Sequence, residues 1–376
     1  MRVALVHDYL VQYGGAERVL EVFSEMYPDA PIYTLIHDPK NLYGAFSGKS
    51  IHTSFLQKMP FTRKHHRFFP QLMPMAVEEF DLKKFDLVIS SANSYSKGVI
   101  TGPQTLHISY CHTPMRYAWD DCHRYLNEFR YSSTVKKMIP FALNYLRMWD
   151  KVSSDRVDHY IANSGTVKRR IHKYYNMPAE VIYPPVNVEP FFDEKYRGLE
   201  EKDYYFMLGR FLPYKHYDIV IEAFAKNGKE LKILGSGPEE KYLKELAAGK
   251  SNIEFLGRLD DDEARRYFSR AKAFIFPSED DFGIVPVEAM AAGTVVIGSN
   301  SGAIPSVIKN AGVIVEEGNH KSIEKAMRIV YKDRSLQKNL RAIGSQRVRK
   351  EFSYQSIARK TVEFLDQVLD VDNEIE

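Results

Sequence analysis

Nine short apolar runs narrow the fold of this chain more than any other feature. RVALVH (2–7), DLVIS (86–90), LHISY (106–110), HYIAN (159–163), YFMLGR (205–210), LKILG (231–235), IEFLG (253–257), AFIFP (273–277) and TVVIG (294–298) are rich in Val, Ile, Leu and Phe and lack strict polar alternation. Strands of that kind are covered on both faces, as in parallel sheets. Between them, 215–227, 238–248, 261–271 and 284–292 have helical spacing. Repeated strand–helix units predict an α/β chain built on doubly wound sheets. A length of 376 residues exceeds one ordinary core, and 44% hydrophobic residues suffice for two. VIYPPVNVEPFF (181–192) breaks the series with Pro184, Pro185 and Pro190. Neither a continuous helix nor a central strand tolerates them. A polar stretch follows and a fresh series starts at Tyr204, so the predicted domain boundary is residue 187.

Charge is uneven along the chain. Residues 1–187 carry 23 Lys/Arg, 17 Asp/Glu and ten of the twelve His; the rest carries 29 and 32. A basic first half suits an anionic partner or membrane surface, or is simply a solvated basic face. Cys111 and Cys122 are too few for a disulfide scaffold, and no Cys/His spacing reads as a zinc site. A cytoplasmic setting is therefore expected. The apolar run in MRVALVHDYL stops at His7 and Asp8 and reads as a first strand, not a signal peptide. No stretch approaches the roughly 20 apolar residues of a membrane span, so any membrane contact is expected to be peripheral.

Four strand ends carry candidate chemistry. In HDYLVQYGGAERV, Gly14 and Gly15 open a helix, where close backbone approach and free N–H groups suit phosphate. A plain strand–helix turn accounts for them equally well. In MLGRFLPYKHYD, Arg210 ends a strand and Lys215 stands at a helix start. Cations at the C-terminal end of a parallel strand face the ligand crevice and can stabilise a leaving diphosphate; two surface cations is the plainer alternative. In FPSEDDFGIVPVEAMAAG, an acidic loop with Asp280 leads through Phe282, Gly283 and Ile284 to a helix carrying Glu288. Its carboxylates can accept sugar hydroxyls and its amides can bind phosphate. His112 follows another strand and precedes Thr113-Pro114; it is either a cleft residue or a satisfied structural His.

Three charged segments invite other readings. Residues 51–77 hold Lys58, Arg63, Lys64, Arg67 and three His, no acid, and interleaved Phe, Met and Leu. Such a segment suits anionic lipid or a lipid-linked diphosphate, or an acceptor-side loop. Nucleic acid is not expected, since no recognised motif supports it. VKKMIPFALNYLRMWDKV (135–152), a helix or helix pair around Pro140, either extends that surface or packs in a core. Asp260-Asp261-Asp262 looks like a metal motif but precedes a helix, where capping and dipole neutralisation explain it.

Taken in order, Gly14-Gly15, SYCHTPMRYAWD (109–120), ANS (162–164), GRFLPYK (209–215) and EDDFGIVPVEAMAAG (279–293) resemble the family 4 (GT4) retaining glycosyltransferases. HDYLVQYGGAERV and YCHTPMRYAWD are most similar to the WbaZ-like mannosyltransferases of surface-polysaccharide assembly. The resemblance implies the GT-B fold, two Rossmann-like domains facing each other across a cleft. Residues 1–187 would bind the acceptor and 188–355 the nucleotide-sugar donor, with the helix from about 356 to 376 packing back onto the first. It implies that Arg210, Lys215 and the Gly14-Gly15 loop serve the diphosphate, that Glu288 meets the ribose, and that His112 lies beside the transferred sugar. Arg258 would lie near the base. The family's E-x7-E signature has Asp280 in its first place here, which would touch the donor sugar.

The expected reaction is retaining transfer of a hexose, mannose from GDP-mannose, to a glycan or polyprenyl-diphosphate-linked acceptor at the inner face of the cell membrane. A glycosyltransferase using a UDP- or other nucleotide-sugar with a soluble acceptor and a non-catalytic sugar-nucleotide-binding subunit are the alternatives. With Arg210 and Lys215 available, no metal or other cofactor is required.

Overall fold

The computed structural model describes residues 1–60, 62, 69–122, 133–196 and 199–373, without the side chains of 133–136 and 370–373. The chain divides between its paired prolines into two compact units, Met1–Pro184 and Pro185–Glu376.

The first unit is a parallel sheet of β1 (Val3–Leu10), β2 (Ile32–His37), β3 (Ile51–Thr53), β4 (Leu87–Ala92), β5 (Leu106–Cys111), β6 (His159–Ala162) and β7 (Glu180–Val181). Its helices are α1 (Gly15–Met26), α2 (Met73–Glu78), α3 (Ser133–Ser154) and α4 (Gly165–Tyr175). The strand order is β3-β2-β1-β4-β5-β6-β7.

The second unit has β8 (Tyr204–Leu208), β9 (Glu230–Leu234), β10 (Ile253–Gly257), β11 (Ala273–Phe276), β12 (Val295–Ser299) and β13 (Gly312–Val315), in the order β10-β9-β8-β11-β12-β13. Around them lie α5 (Tyr217–Asn227), α6 (Glu240–Leu246), α7 (Asp261–Arg270), α8 (Ile284–Ala291), α9 (Ile304–Ile308), α10 (His320–Lys332), α11 (Arg334–Arg347) and α12 (Tyr354–Asn373). The terminal helix clusters with this unit.

Each sheet winds outward in both directions from its own first strand. The order reverses between β1 and β4 and again between β8 and β11. At such switch points the loops leaving the strand ends diverge and open a crevice. The residues that follow β1, β4, β8 and β11 are therefore the ones the topology offers to a ligand.

The core follows from the apolar runs. β4 is buried along its whole length, and in the second unit Tyr205, Phe206, Phe224, Phe268 and Phe274 are almost fully enclosed. The sequence reading misses β2, β3, β7 and β13. β3 and β7 are too short to show a period, and β13 is a partly exposed edge. It also ends β1 too early. The strand continues to Leu10 because both polar residues in it are satisfied internally. The Asp8 carboxylate accepts four successive backbone N–H groups after β4, from Asn93 (2.8 Å), Ser94 (2.8 Å), Tyr95 (2.9 Å) and Ser96 (2.6 Å). A buried carboxylate so enclosed is stable, and without it four amides lose their acceptor.

That clasp ties β1 to the loop after β4, so Asp8→Ala is expected to destabilise the first unit by about 3 kcal/mol. Both tryptophans, Trp119 and Trp149, lie in this unit, so urea unfolding followed by Trp fluorescence reads it selectively. A change under about 1 kcal/mol would show that solvent replaces the clasp.

Candidate functional site

The second switch point assembles three of the expected residues. Gly209 and Arg210 follow β8, and the turn Pro213–Lys215 delivers Lys215 just ahead of α5. From the neighbouring strand, β11 runs into Pro277 and the acidic loop. Lys215 Nζ lies 2.8 Å from Asp280 Oδ2 and 4.8 Å from the centre of the Phe276 ring. Arg210, Lys215 and Asp280 line one cavity of about 140 Å³, floored by Met207, Ile275 and Phe276.

Electrostatics keep this pair charged. Burial pushes the Lys215 ammonium down, but the Asp280 charge outweighs it and raises its pKa overall. Burial likewise raises the Asp280 carboxyl, and Lys215 with the amides of Asp281 and Phe282 brings it below the ordinary range. Asp281 N–H donates to Asp280 Oδ1 at 2.8 Å. Gly302, at φ +62°, lets a second loop close over this one: a Cβ there would sit 2.4 Å from the Asp280 carbonyl oxygen. That carbonyl accepts from Ala303 N–H at 2.9 Å.

Other expected donor residues stand outside the cavity lining. Phe282 is buried with its ring edge-on to Phe352, so its side chain belongs to the core. Gly283, at φ +91°, caps α8, and a Cβ would strike Ile304. Ile284 begins α8 and Glu288 lies half-buried within it. Arg258 is exposed after β10, the edge strand two places from β8. The acidic run behaves as a cap: Asp260 and Glu263 bond each other's backbone N–H at 2.8 and 3.1 Å, and Asp262 pairs with Lys195 and Arg266.

At the first switch point, Gly14 caps α1, but its N–H donates to Glu17 Oε2 at 2.8 Å. That amide is engaged within the protein; Gly15 is the first residue of the helix. His112 follows β5 and is buried, with Nε2 2.9 Å from Ser91 Oγ. Its carbonyl accepts from Asn163 Nδ2 at 2.8 Å, which explains the middle of the ANS motif; Ser164 caps α4. In SYCHTPMRYAWD, Trp119 Nε1 and Tyr175 Oη both donate to Asp150 Oδ2, at 2.7 and 2.9 Å. Asp150 also pairs with buried Lys97 at 2.8 Å. Much of that motif therefore packs the unit. Lys58 is exposed at the end of the turn Phe55–Lys58, and Arg63, Lys64 and Arg67 lie outside the described residues.

Sequence pattern gives no role to His7, Glu17 or Ser91, and places Asn163 only within the ANS motif. A His-Asp pair within an apolar strand and a Glu at the third position of a helix were the available signals.

Two family profiles match in succession: "Glycosyltransferase Family 4" over residues 13–190 and "Glycosyl transferases group 1" over 188–347. The chain belongs to glycosyltransferase family 4. Among its relatives, the O-antigen chain mannosyltransferase RfbU of Salmonella typhimurium is 31% identical over 198 residues, 49% of this chain and 54% of the relative. A GDP-mannose-dependent monoacylated alpha-(1-6)-phosphatidylinositol monomannoside mannosyltransferase of Corynebacterium glutamicum is 29% identical over 42% of this chain and 45% of its own. The chain thus spans about half the length of the curated relatives it matches. Sucrose-phosphate synthase from Thermosynechococcus elongatus superposes with a TM-score of 0.74 at 16% identity, covering 99% of this chain and 100% of its own. That likeness shows the GT-B fold of the family.

The buried imidazoles predict a pH dependence. Burial holds His112 down at about 3 and His107 at about 4. Both lie below the ordinary His value of about 6.5, so below that pH the unfolded chain takes up protons that the folded one refuses. The stability of the first unit, full above about 6.5, is expected to fall as the pH drops toward 4. Trp-monitored urea midpoints measure it, and His107→Gln with His112→Gln should flatten the slope. An unchanged slope would exclude these rings as its source.

Proposed function

We propose that this chain is a retaining glycosyltransferase that moves a hexose, mannose from GDP-mannose, onto a lipid-linked or saccharide acceptor in surface-glycan assembly. The observation that carries the reading is the shared cavity of Arg210, Lys215 and Asp280 at the second switch point. Two cations beside one carboxylate suit a diphosphate joined to a hydroxylated sugar. The mannosyltransferase relatives favour mannose and GDP.

In the reaction, the bond between the anomeric carbon and the diphosphate oxygen breaks, and its electrons stay on that oxygen. Arg210 and Lys215 neutralise the charge that accumulates there, so no divalent ion is needed. The acceptor hydroxyl bonds to the anomeric carbon on the face the diphosphate leaves, and its proton passes to the departing phosphate oxygen. Lys215 is held by Asp280. Donor binding takes over the ammonium and frees the carboxylate for a sugar hydroxyl.

The lipid-linked acceptor draws on a second observation. Met138, Phe141, Tyr145, Met148 and Val152 are 63, 74, 44, 57 and 61% exposed on α3. Their 3-4 spacing puts them on one face, with Lys137, Arg147 and Lys151 on the same helix. No helix among the described residues is long and apolar enough to cross a membrane. An apolar stripe with basic neighbours suits the anionic inner surface of a cell membrane.

Three outcomes test this reading. In a screen of nucleotide sugars, GDP-mannose should give the largest thermal stabilisation and release GDP in EDTA. Stabilisation by UDP-glucose alone would favour the soluble-acceptor alternative, and binding without turnover would favour a non-catalytic subunit. Lys215→Ala should lower kcat/KM on the order of 10²- to 10³-fold with the fold intact, whereas Asp280→Glu should retain most activity; near-normal rates in Lys215→Ala would remove the diphosphate role. Phe141→Ser with Met148→Ser should weaken binding to anionic vesicles on the order of tenfold, and equal binding would reject the membrane face.

A further inference from the structure

The first switch point contains a line of buried polar side chains that the donor chemistry does not use. Parallel register sets His7 of β1 beside Ser91 of β4, and Ser91 beside Tyr110 of β5. His112 lies two residues past Tyr110, on the same face of an extended chain. Ser91 Oγ stands between the two rings, 3.1 Å from His7 Nδ1 and 2.9 Å from His112 Nε2. At the other end, Glu17 of α1 places Oε1 3.6 Å from His7 Nε2 while Oε2 accepts the Gly14 N–H. His7, Glu17, Ser91 and His112 are all less than a tenth exposed.

We infer that Glu17, His7 and Ser91 are positioning residues that hold His112 as its Nε2–H tautomer and present Nδ1 as a hydrogen-bond acceptor. The assignment follows from donor and acceptor capacity. With His7 neutral, the carboxylate, 3.6 Å away and able only to accept, favours the tautomer with hydrogen on Nε2. That leaves a lone pair on His7 Nδ1, which Ser91 satisfies with its single hydrogen. Ser91 then has only lone pairs to offer His112, whose Nε2 must carry the hydrogen. His112 Nδ1 has no hydrogen-bond partner among the described residues.

Other charged groups near this line are already committed. Asp8 is clasped by the amides after β4, and Lys97 is paired with Asp150. The Asn163 bond to the His112 carbonyl fixes the backbone from which the ring projects. An acceptor nitrogen so held can take a hydroxyl hydrogen of a bound sugar substrate. This role rests on the glycosyl-transfer reading; the tautomer does not.

Long-range 1H–15N correlation spectra of the full chain, with His112 assigned through His112→Gln, read the tautomer directly. Wild type should show Nε2–H. In Glu17→Gln, the amide oxygen keeps the Gly14 N–H and the NH₂ faces His7. With hydrogen then favoured on His7 Nδ1, both hydrogen bonds of Ser91 reverse, and His112 should become Nδ1–H. Ser91→Ala removes the middle link and should give a mixture. Nδ1–H in wild type, or an unaltered tautomer in both variants, would overturn the proposal. For function, Ser91→Ala should lower kcat on the order of tenfold while GDP affinity stays within about twofold, since GDP is assigned to the second unit. Normal kcat with a shifted tautomer would sever the line from transfer; loss of turnover in wild type would indict the glycosyl-transfer reading instead.

Discussion

The 2.8 Å contact between Lys215 and Asp280 is the interaction on which the proposed donor site depends. It joins the loop after β8 to the loop after β11, the two strands between which the second sheet reverses. Burial alone would discharge both groups. Each remains charged because the other is present and because two amides add to the carboxylate. The same attraction makes the site responsive: a diphosphate carries more negative charge than one carboxylate, so it competes directly for the ammonium.

The first unit repeats the device with different partners. Asp8 fills a cup of four amides after β4, and Glu17 takes the Gly14 amide at the head of α1. In both units, acidic side chains occupy places where phosphate readily binds. At Asp8 the enclosure is complete and the role is structural. At Glu17 one oxygen is left toward His7, which connects the Gly14 turn to His112 through Ser91. The glycines of that turn thus serve the internal geometry of the unit as well as any ligand.

Local pattern carried β8 to β12 and α5 to α8 of the second unit, but not β13 or α9 to α11: the predicted 261–271 and 284–292 compare with Asp261–Arg270 and Ile284–Ala291. The capping role of Asp260 was legible because a capping box is a local sequence feature. Arg210, Lys215 and Asp280 could be nominated from their places after strands, and the fold brings them to one cavity. The Glu17–His7–Ser91–His112 line was not legible. Its members span more than ninety residues of sequence, and only the β1–β4 register makes His7 a neighbour of Ser91. Phe282 is a different case. Its backbone N–H, read as a candidate phosphate donor, helps to hold Asp280, while its ring is taken up by Phe352, a partner no local pattern reveals.

A crystal structure with GDP bound tests the central claim most directly. The account predicts the diphosphate in contact with the Arg210 guanidinium and the Lys215 ammonium, with Lys215 drawn away from Asp280. A nucleotide bound elsewhere, with Lys215 and Asp280 still joined and the cavity empty, would contradict it.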